Sequence, residues 1–374
     1  MTSKLNIAIA AGGTAGHVNP ALALAEELRD RGHHVRFFGQ TRRLEGTLVP
    51  EAGFDFTPVE VSGFDRSRPW TLFTALAHIA REKKRLVGMF GNDSSLRPDV
   101  AIGFGAYVEL PLVQAANKLG IPVALHEQNS VPGLANKRSA KKSALVAIAQ
   151  PDVRSIFQEL GAQNIVFTGN PVRASVLAGE RSAGRARLGV ADGETLLLVF
   201  GGSLGARHIN QTMVRLKDSL LAVPGLRIVH STGKDDYQQT VDALGLTRNE
   251  ASRWDVRPYI DGMGDMLAAA DLVLSRAGAS SIAEISALAV PSVLIPYPHA
   301  TADHQTTNAR YLVDSGAAVM YRDDALDEPA FDEGLLSLLG DDGARAEMRE
   351  RARALGQDRA AAKLADALLS LVNA

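Results

Sequence analysis

The chain has 374 residues, 46% hydrophobic and 22% charged, with a formal net charge of −2. That is enough for two α/β cores of about 150 to 200 residues each, and the charge balance excludes nucleic acid as a general partner. Cysteine is absent, which removes disulfides, thiolate catalysis and zinc–sulfur sites and fits a reducing compartment.

The N-terminus offers only Ile7 to Ala11 as an uninterrupted apolar run, too short for a signal h-region. No segment reaches the roughly 18 apolar residues that would span a bilayer, so the expectation is a protein that neither crosses the membrane nor leaves the cell. Strand-like runs then alternate with helical periodicity: Leu5 to Ala10, His34 to Phe38, Val100 to Phe104, Ile121 to Leu125 and Leu145 to Ile148. Such alternation predicts βαβ units and a parallel sheet. After the Gly169-Asn170-Pro171-Val172-Arg173 turn the pattern starts again with Leu196 to Phe200, Arg227 to His230, Leu272 to Leu274 and Val293 to Pro296. The domain boundary is expected near Thr168 to Arg173. From Gly343 onward the chain is rich in Ala, Leu and Arg and reads as terminal helices.

Two glycine loops share one design, Gly12-Gly13-Thr14-Ala15-Gly16 and Gly201-Gly202-Ser203-Leu204-Gly205, each after an apolar strand and before a helix. Backbone N–H groups at such a helix start suit a phosphate or a pyrophosphate-linked sugar. A lone glycine loop is weak, because tight turns need glycine for their own sake. The dinucleotide fingerprint fails: Ala11 and Phe200 stand where its first glycine belongs, and no acidic residue closes the second strand near Phe38 to Thr41.

A third segment runs from Asp271 through Ser275-Arg276-Ala277-Gly278 to Glu284. It reads as a buried strand, a turn and a helix with a carboxylate in its first turn, placed to accept both hydroxyls of a ribose. Ser281-x-x-Glu284 reads equally well as a capping box, in which the glutamate only satisfies an amide.

The motifs taken together resemble the MurG family, UDP-N-acetylglucosamine:N-acetylmuramyl-(pentapeptide) pyrophosphoryl-undecaprenol N-acetylglucosaminyltransferases of bacterial peptidoglycan synthesis. The resemblance rests on Gly12 to His17, Gly103-Phe104-Gly105-Ala106-Tyr107, His126-Glu127-Gln128-Asn129, Gly169 to Arg173, Gly201 to Arg207, Ser275 to Glu284 and His304-Gln305-Thr306-Thr307-Asn308-Ala309. Ala15 and Ala106 stand where the family usually has glycine.

The resemblance implies an α/β fold of GT-B architecture, two Rossmann-like domains with parallel sheets facing across a cleft. Residues 1–168 would bind the lipid-linked acceptor, 169–350 the UDP-GlcNAc donor, and 351–374 would form a helix packing back on the first domain. The reaction would be an inverting transfer of N-acetylglucosamine to the 4-hydroxyl of lipid I, giving lipid II, with no cofactor. The chain has no Asp-x-Asp, so stabilisation of the leaving diphosphate is assigned to helix N-termini, Ser203 and Arg173 rather than to a bridging metal.

For the acceptor hydroxyl, His17 or Glu127 would supply the base, His17 being preferred; either also reads as a residue that merely steadies its loop. By resemblance Ile260 meets uracil, Glu284 the ribose, Ala279, Ser280, Ser281, Ile282 and Ala283 the phosphates, and Gln305 the sugar. Thr14, Ala15, Gly16 and Asn129 reach the GlcNAc from the first domain, and Gly103, Gly105 and Tyr107 the acceptor.

A lipid-linked acceptor implies a peripheral protein on the cytoplasmic face of the cell membrane. Leu72, Leu76 and Ile79 are expected on one helical face beside Trp70 and Phe73, followed by basic Lys83 and Lys84, a pattern suited to an anionic interface. An ordinary core helix with a solvated end reads the same way. Other cell-wall synthesis proteins are further candidate partners. Two rivals from other classes are a non-hydrolysing UDP-GlcNAc epimerase and a sugar-nucleotide sensor without transfer activity.

Overall fold

A computed structural model describes residues 4–62, 70–202 and 205–372. They form two compact units, one made of the chain up to Arg173 and from Arg359 on, the other of Ala174–Asp358.

The first unit holds a parallel sheet of seven strands: β1 (Asn6–Ala10), β2 (His34–Gly39), β3 (Asp55–Pro58), β4 (Val100–Gly103), β5 (Val123–Glu127), β6 (Leu145–Ile148) and β7 (Ile165–Phe167), in the order β3-β2-β1-β4-β5-β6-β7. The second unit has six: β8 (Thr195–Phe200), β9 (Leu226–Ser231), β10 (Trp254–Arg257), β11 (Leu272–Ser275), β12 (Ser292–Leu294) and β13 (Ala318–Met320), in the order β10-β9-β8-β11-β12-β13. Every strand pairing is parallel; Ile7 lies opposite Val35 on one side and Val100 on the other.

The central strands are apolar at every position because alternate side chains enter different cores. Ile7 and Ile9 join one cluster, Ala8 and Ala10 another. In β8, Leu196, Leu198 and Phe200 face one side, Leu197 and Val199 the other. This is the pattern of a sheet covered by helices on both faces. In the first unit the covering helices include α1 (Ala15–Asp30), α2 (Glu45–Glu51), α3 (Thr71–Asn92), α4 (Glu109–Lys118) and α5 (Leu134–Ser139). In the second they include α6 (Arg207–Arg215), α7 (Ala279–Ala287) and α8 (His304–Val313).

The chain divides at the end of the Gly169 to Arg173 turn because both ends of that turn are tied to the first unit. His126 Nε2 donates to the Gly169 carbonyl at 3.1 Å, and Arg173 bonds Glu26 of α1 at 2.7 Å. The return to the first unit begins at Arg359, later than 351. Residues Asp342–Ala354 form a helix held by the second unit, where Ala352 is buried and Arg349 donates to the carbonyls of Ala270 and Ala289. The last helix, α9 (Ala360–Leu369), packs on α1 through Leu364, Ala365 and Leu368, and Asp366 pairs with Arg31 at 2.5 Å. Each buried leucine there contributes about 1.5 to 3 kcal/mol.

Candidate functional site

In each unit the strand order reverses beside the first strand, between β1 and β4 and between β8 and β11. Loops at the carboxyl ends of such strands diverge and leave a crevice, the usual ligand site of an open α/β sheet. Both glycine loops and the Gly103 to Tyr107 and Ser275 to Gly278 segments leave the sheets there.

In the first unit Thr14 caps α1 in extended conformation, followed by Ala15 and Gly16, and His17 lies in the first turn. His17 Nδ1 is 2.9 Å from Thr14 Oγ1. Its other edge faces Gly105, where an added Cβ would lie 3.3 Å from Nε2. Burial pushes the imidazole down to about 4, so it is neutral at neutral pH.

Three buried glutamates hold the surrounding loops by accepting backbone N–H groups. Glu45 takes those of Gly13 and Gln40, both at 3.0 Å, and stands so close to Gly12 that a Cβ there would lie 2.3 Å from its Oε1. Glu109 takes that of Gly105 at 2.6 Å. Glu127 Oε1 accepts the Asn129 amide at 3.1 Å, and its Oε2 accepts Gly133 N–H and Asn136 Nδ2, both at 2.9 Å. Burial raises Glu127 above the ordinary carboxylate range despite these donors. With both oxygens engaged, Glu127 organises the Asn129 to Gly133 loop. Gly103 and Gly105 are buried, and Tyr107 is half-buried beside them.

In the second unit Gly205, at φ +79°, brings its loop against the end of β9, where a Cβ would lie 2.1 Å from the Thr232 carbonyl. No L side chain fits there. Ser203 lies outside the described residues. His208 on α6 is 2.8 Å from Asp323 through Nδ1 and 3.3 Å from Asp327 through Nε2. Burial works against its charge, but the two carboxylates outweigh it and raise His208 above its ordinary value. Asp323 also accepts from Arg276 at 2.5 Å, and Arg276 donates further to the carbonyls of Ile295 and Pro296.

Gly278 caps α7 in extended conformation, so Ala279, Ser280 and Ser281 form its first turn and Glu284 falls in the second. This corrects the expected placement of Glu284 and removes the capping-box reading, because the cap is three residues before Ser281. Ile282 and Ala283 are buried, Ile282 in the core of the second unit, and burial raises Glu284 to about 7. Gln305 Oε1 accepts N–H groups of Ala277 and Tyr297 at 3.1 and 3.0 Å. Its oxygen is thereby committed to the loop, and its amide nitrogen is the end able to donate to a ligand. Ile260 is 3% exposed, packed in the core just after β10.

Comparison with known proteins places this geometry. The glycosyltransferase family 28 N-terminal domain matches residues 7–148 and its C-terminal domain residues 196–367. A UDP-N-acetylglucosamine–N-acetylmuramyl-(pentapeptide) pyrophosphoryl-undecaprenol N-acetylglucosamine transferase of Halothermothrix orenii is 37% identical, over 94% of this chain and 95% of its own. The protein of the same name from Bacillus subtilis is 35% identical over 98% of this chain and 99% of its own. The chain belongs to glycosyltransferase family 28. The crystal structure of Acinetobacter baumannii MurG superposes with a TM-score of 0.73 at 28% identity, covering 98% of this chain and 100% of that one.

Several family residues lie elsewhere than the sequence suggested. Arg173 does not stand free for a phosphate: Nε and Nη2 both bond Glu26 Oε1, at 3.0 and 2.7 Å, so its charge is already partnered. Trp70, Leu72, Phe73 and Leu76 are exposed, Phe73 by 77%, but Ile79 is 5% exposed. Ile79 belongs to the core stripe of α3 with Ala75, Glu82, Leu86 and Phe90, so it is removed from the exposed apolar face. Lys84 is exposed and Lys83 half-buried. Among the described residues no helix is long and apolar enough to cross a membrane.

Sequence reasoning missed Glu45, Glu109, Asn136, His208 and Asp323. The available signal was acid or amide side chains inside otherwise core-forming stretches, as in Glu109-Leu-Pro-Leu-Val and Gly133-Leu-Ala-Asn136. Such groups are buried only when a partner is waiting.

Proposed function

We propose that this family 28 member transfers N-acetylglucosamine from UDP-N-acetylglucosamine to the 4-hydroxyl of the N-acetylmuramyl unit of undecaprenyl-pyrophosphoryl-MurNAc-pentapeptide, forming lipid II for peptidoglycan. The observation that carries this reading is that the similarity to transferases of that name runs through both units, donor half and acceptor half alike.

In the second unit the diphosphate lies at the start of α7, where first-turn amides and the helix dipole meet its charge as the leaving group develops. Glu284 takes the ribose hydroxyls, the backbone at Ile260 the uracil, and the Gln305 amide nitrogen the sugar. In the first unit His17 acts as base. With Nδ1–H donating to Thr14 Oγ1, Nε2 carries the lone pair, and burial keeps it unprotonated before acceptor arrives. An anionic pyrophosphate brought beside it raises its proton affinity when the hydroxyl must be deprotonated. The hydroxyl oxygen attacks the anomeric carbon, the bond to UDP breaks, and configuration inverts. Tyr107 serves the acceptor side.

Trp70, Leu72, Phe73 and Leu76, with Lys83 and Lys84, form the surface by which the protein rests peripherally on an anionic membrane at the cytoplasmic face. The deciding assay incubates the protein with UDP-GlcNAc and a lipid I analogue. Transfer of GlcNAc to the analogue supports the reading; epimerised UDP-sugar without acceptor, or binding with no product, replaces it.

A further inference from the structure

Glu109 is a buried acid of the first unit that base catalysis as described leaves unused. Glu109 opens α4 with 0% of its surface exposed. Its Oε2 accepts the Gly105 N–H at 2.6 Å and presses under Gly103, where a Cβ would lie 2.4 Å from the same oxygen. Its Oε1 has no hydrogen-bond partner among the described residues, nor have Gln128 Oε1 and Asn136 Oδ1. Gln128 Nε2 meanwhile donates to the Phe104 carbonyl and Asn136 Nδ2 to Glu127, so all three side chains are wrapped around the same loops.

An ionised carboxylate with one bare oxygen is costly in such a place. Burial, reinforced by the neighbouring Glu127 and only partly offset by the Gly105 amide, pushes Glu109 up to about 8. The titratable groups around it are Glu127 and His126 on β5 and His17 on α1; burial holds both histidines near 4. Glu109 is therefore a neutral acid at neutral pH, holding its loop by shape and hydrogen bonding rather than by charge.

That loop is strained and functionally placed. Gly105 and Ala106 are both left-handed, at φ +83° and +64°, a conformation in which the Cβ of alanine is crowded by its own backbone. The open side of Gly105 faces the Cδ2–Nε2 edge of His17, where an added Cβ would lie 3.2 and 3.3 Å from those two atoms. We propose that Glu109 is a positioning residue for His17: through its bond to Gly105 it fixes the turn whose backbone covers the imidazole edge and aims Nε2. The catalytic consequence rests on His17 being the base; the structural one does not.

The full-length protein tests both. His17 titration is followed by NMR, assigned with His17→Asn, and kcat and KM are measured for donor and acceptor. Glu109→Gln preserves the acceptor oxygen and the neutral shape, so it keeps the low His17 titration and a kcat within about threefold of the parent. Glu109→Ala frees the turn: His17 titrates about one pH unit or more higher, towards its ordinary value. Its kcat falls by about tenfold to a hundredfold, while KM for UDP-GlcNAc is unchanged. Gly105→Ala, whose Cβ would stand 3.2 and 3.3 Å from the imidazole on a backbone at φ +83°, displaces the same turn with Glu109 intact, so it raises His17 titration as Glu109→Ala does and serves if Glu109→Ala fails to fold. The proposal is overturned if Glu109→Gln is as damaging as Glu109→Ala, or if His17 titration stays put in both Glu109→Ala and Gly105→Ala. Should the parent protein transfer nothing to lipid I, the proposed function fails and the NMR arm alone decides the positioning role.

Discussion

Donor binding should expel a proton from Glu284. Burial raises its carboxyl from an ordinary 4.5 to about 7, so in the free protein at pH 7 about half the molecules carry a protonated Glu284. Ribose hydroxyls donating to the ionised form would return it towards its ordinary value. UDP-GlcNAc is the right probe, because its diphosphate is a diester with no proton to exchange in this range. The free form has the raised pKa and the bound form the lower one, so affinity is full above about pH 7 and falls as the pH drops. If the bound value reaches about 4.5, the dissociation constant at pH 6 is about tenfold weaker than at pH 8, and about half a proton is released per donor at pH 7. Calorimetry in two buffers of different ionisation enthalpy measures that release directly. Glu284→Gln should bind more weakly at pH 8 and show neither the pH dependence nor the release. Affinity that is flat from pH 6 to 8 in the parent protein, or a slope surviving in Glu284→Gln, would refute the linkage and with it the ribose role.

Four other outcomes follow from the same geometry. His17→Asn should lower transfer by about a hundredfold to ten-thousandfold while leaving UDP-GlcNAc affinity intact, measured by turnover and calorimetry; wild-type turnover would move the base elsewhere. Trp70→Ser with Phe73→Ser, and separately Lys83→Glu with Lys84→Glu, should each cut sedimentation with anionic vesicles by about tenfold in affinity. Ile79→Ala should instead leave vesicle binding alone and cost about 2 to 4 kcal/mol of stability in denaturant unfolding. Ala106→Gly should stabilise the protein by about 0.5 to 1 kcal/mol, seen as a higher Tm, because glycine meets the left-handed backbone without strain.

The nine inner strands were legible as apolar runs because each feeds two cores at once. The four that were not, β3, β7, β10 and β13, are the edge strands of the two sheets. With one neighbour and partial exposure β3 and β10 carry polar residues, Asp55 and Thr57 in one and Asp255 and Arg257 in the other, while β7 and β13 are apolar but only three residues long, so periodicity had little to register. The glycine loops stood out because Gly13, Gly202 and Gly205 sit at positive φ, a conformation glycine adopts freely. Partners chosen through space left no such trace. Arg173 looks like a phosphate ligand until Glu26 is brought to it, and Glu45 and Glu109 look like surface charges until the loops above them close. Ile79 belongs to the same apolar helix as Phe73, and only the packing of α3 on the sheet decides which of them is covered. The two alanines in glycine positions also separate only in three dimensions, Ala15 sitting comfortably in the first turn of α1 and Ala106 bearing a left-handed φ.

The division of labour between the units is tested most directly by a crystal structure with UDP-GlcNAc bound. The account predicts uracil against the backbone at Ile260, both ribose hydroxyls within hydrogen-bonding distance of Glu284, and the diphosphate over the first turn of α7. A nucleotide seated instead on the Gly12 to Gly16 loop of the first unit would contradict it.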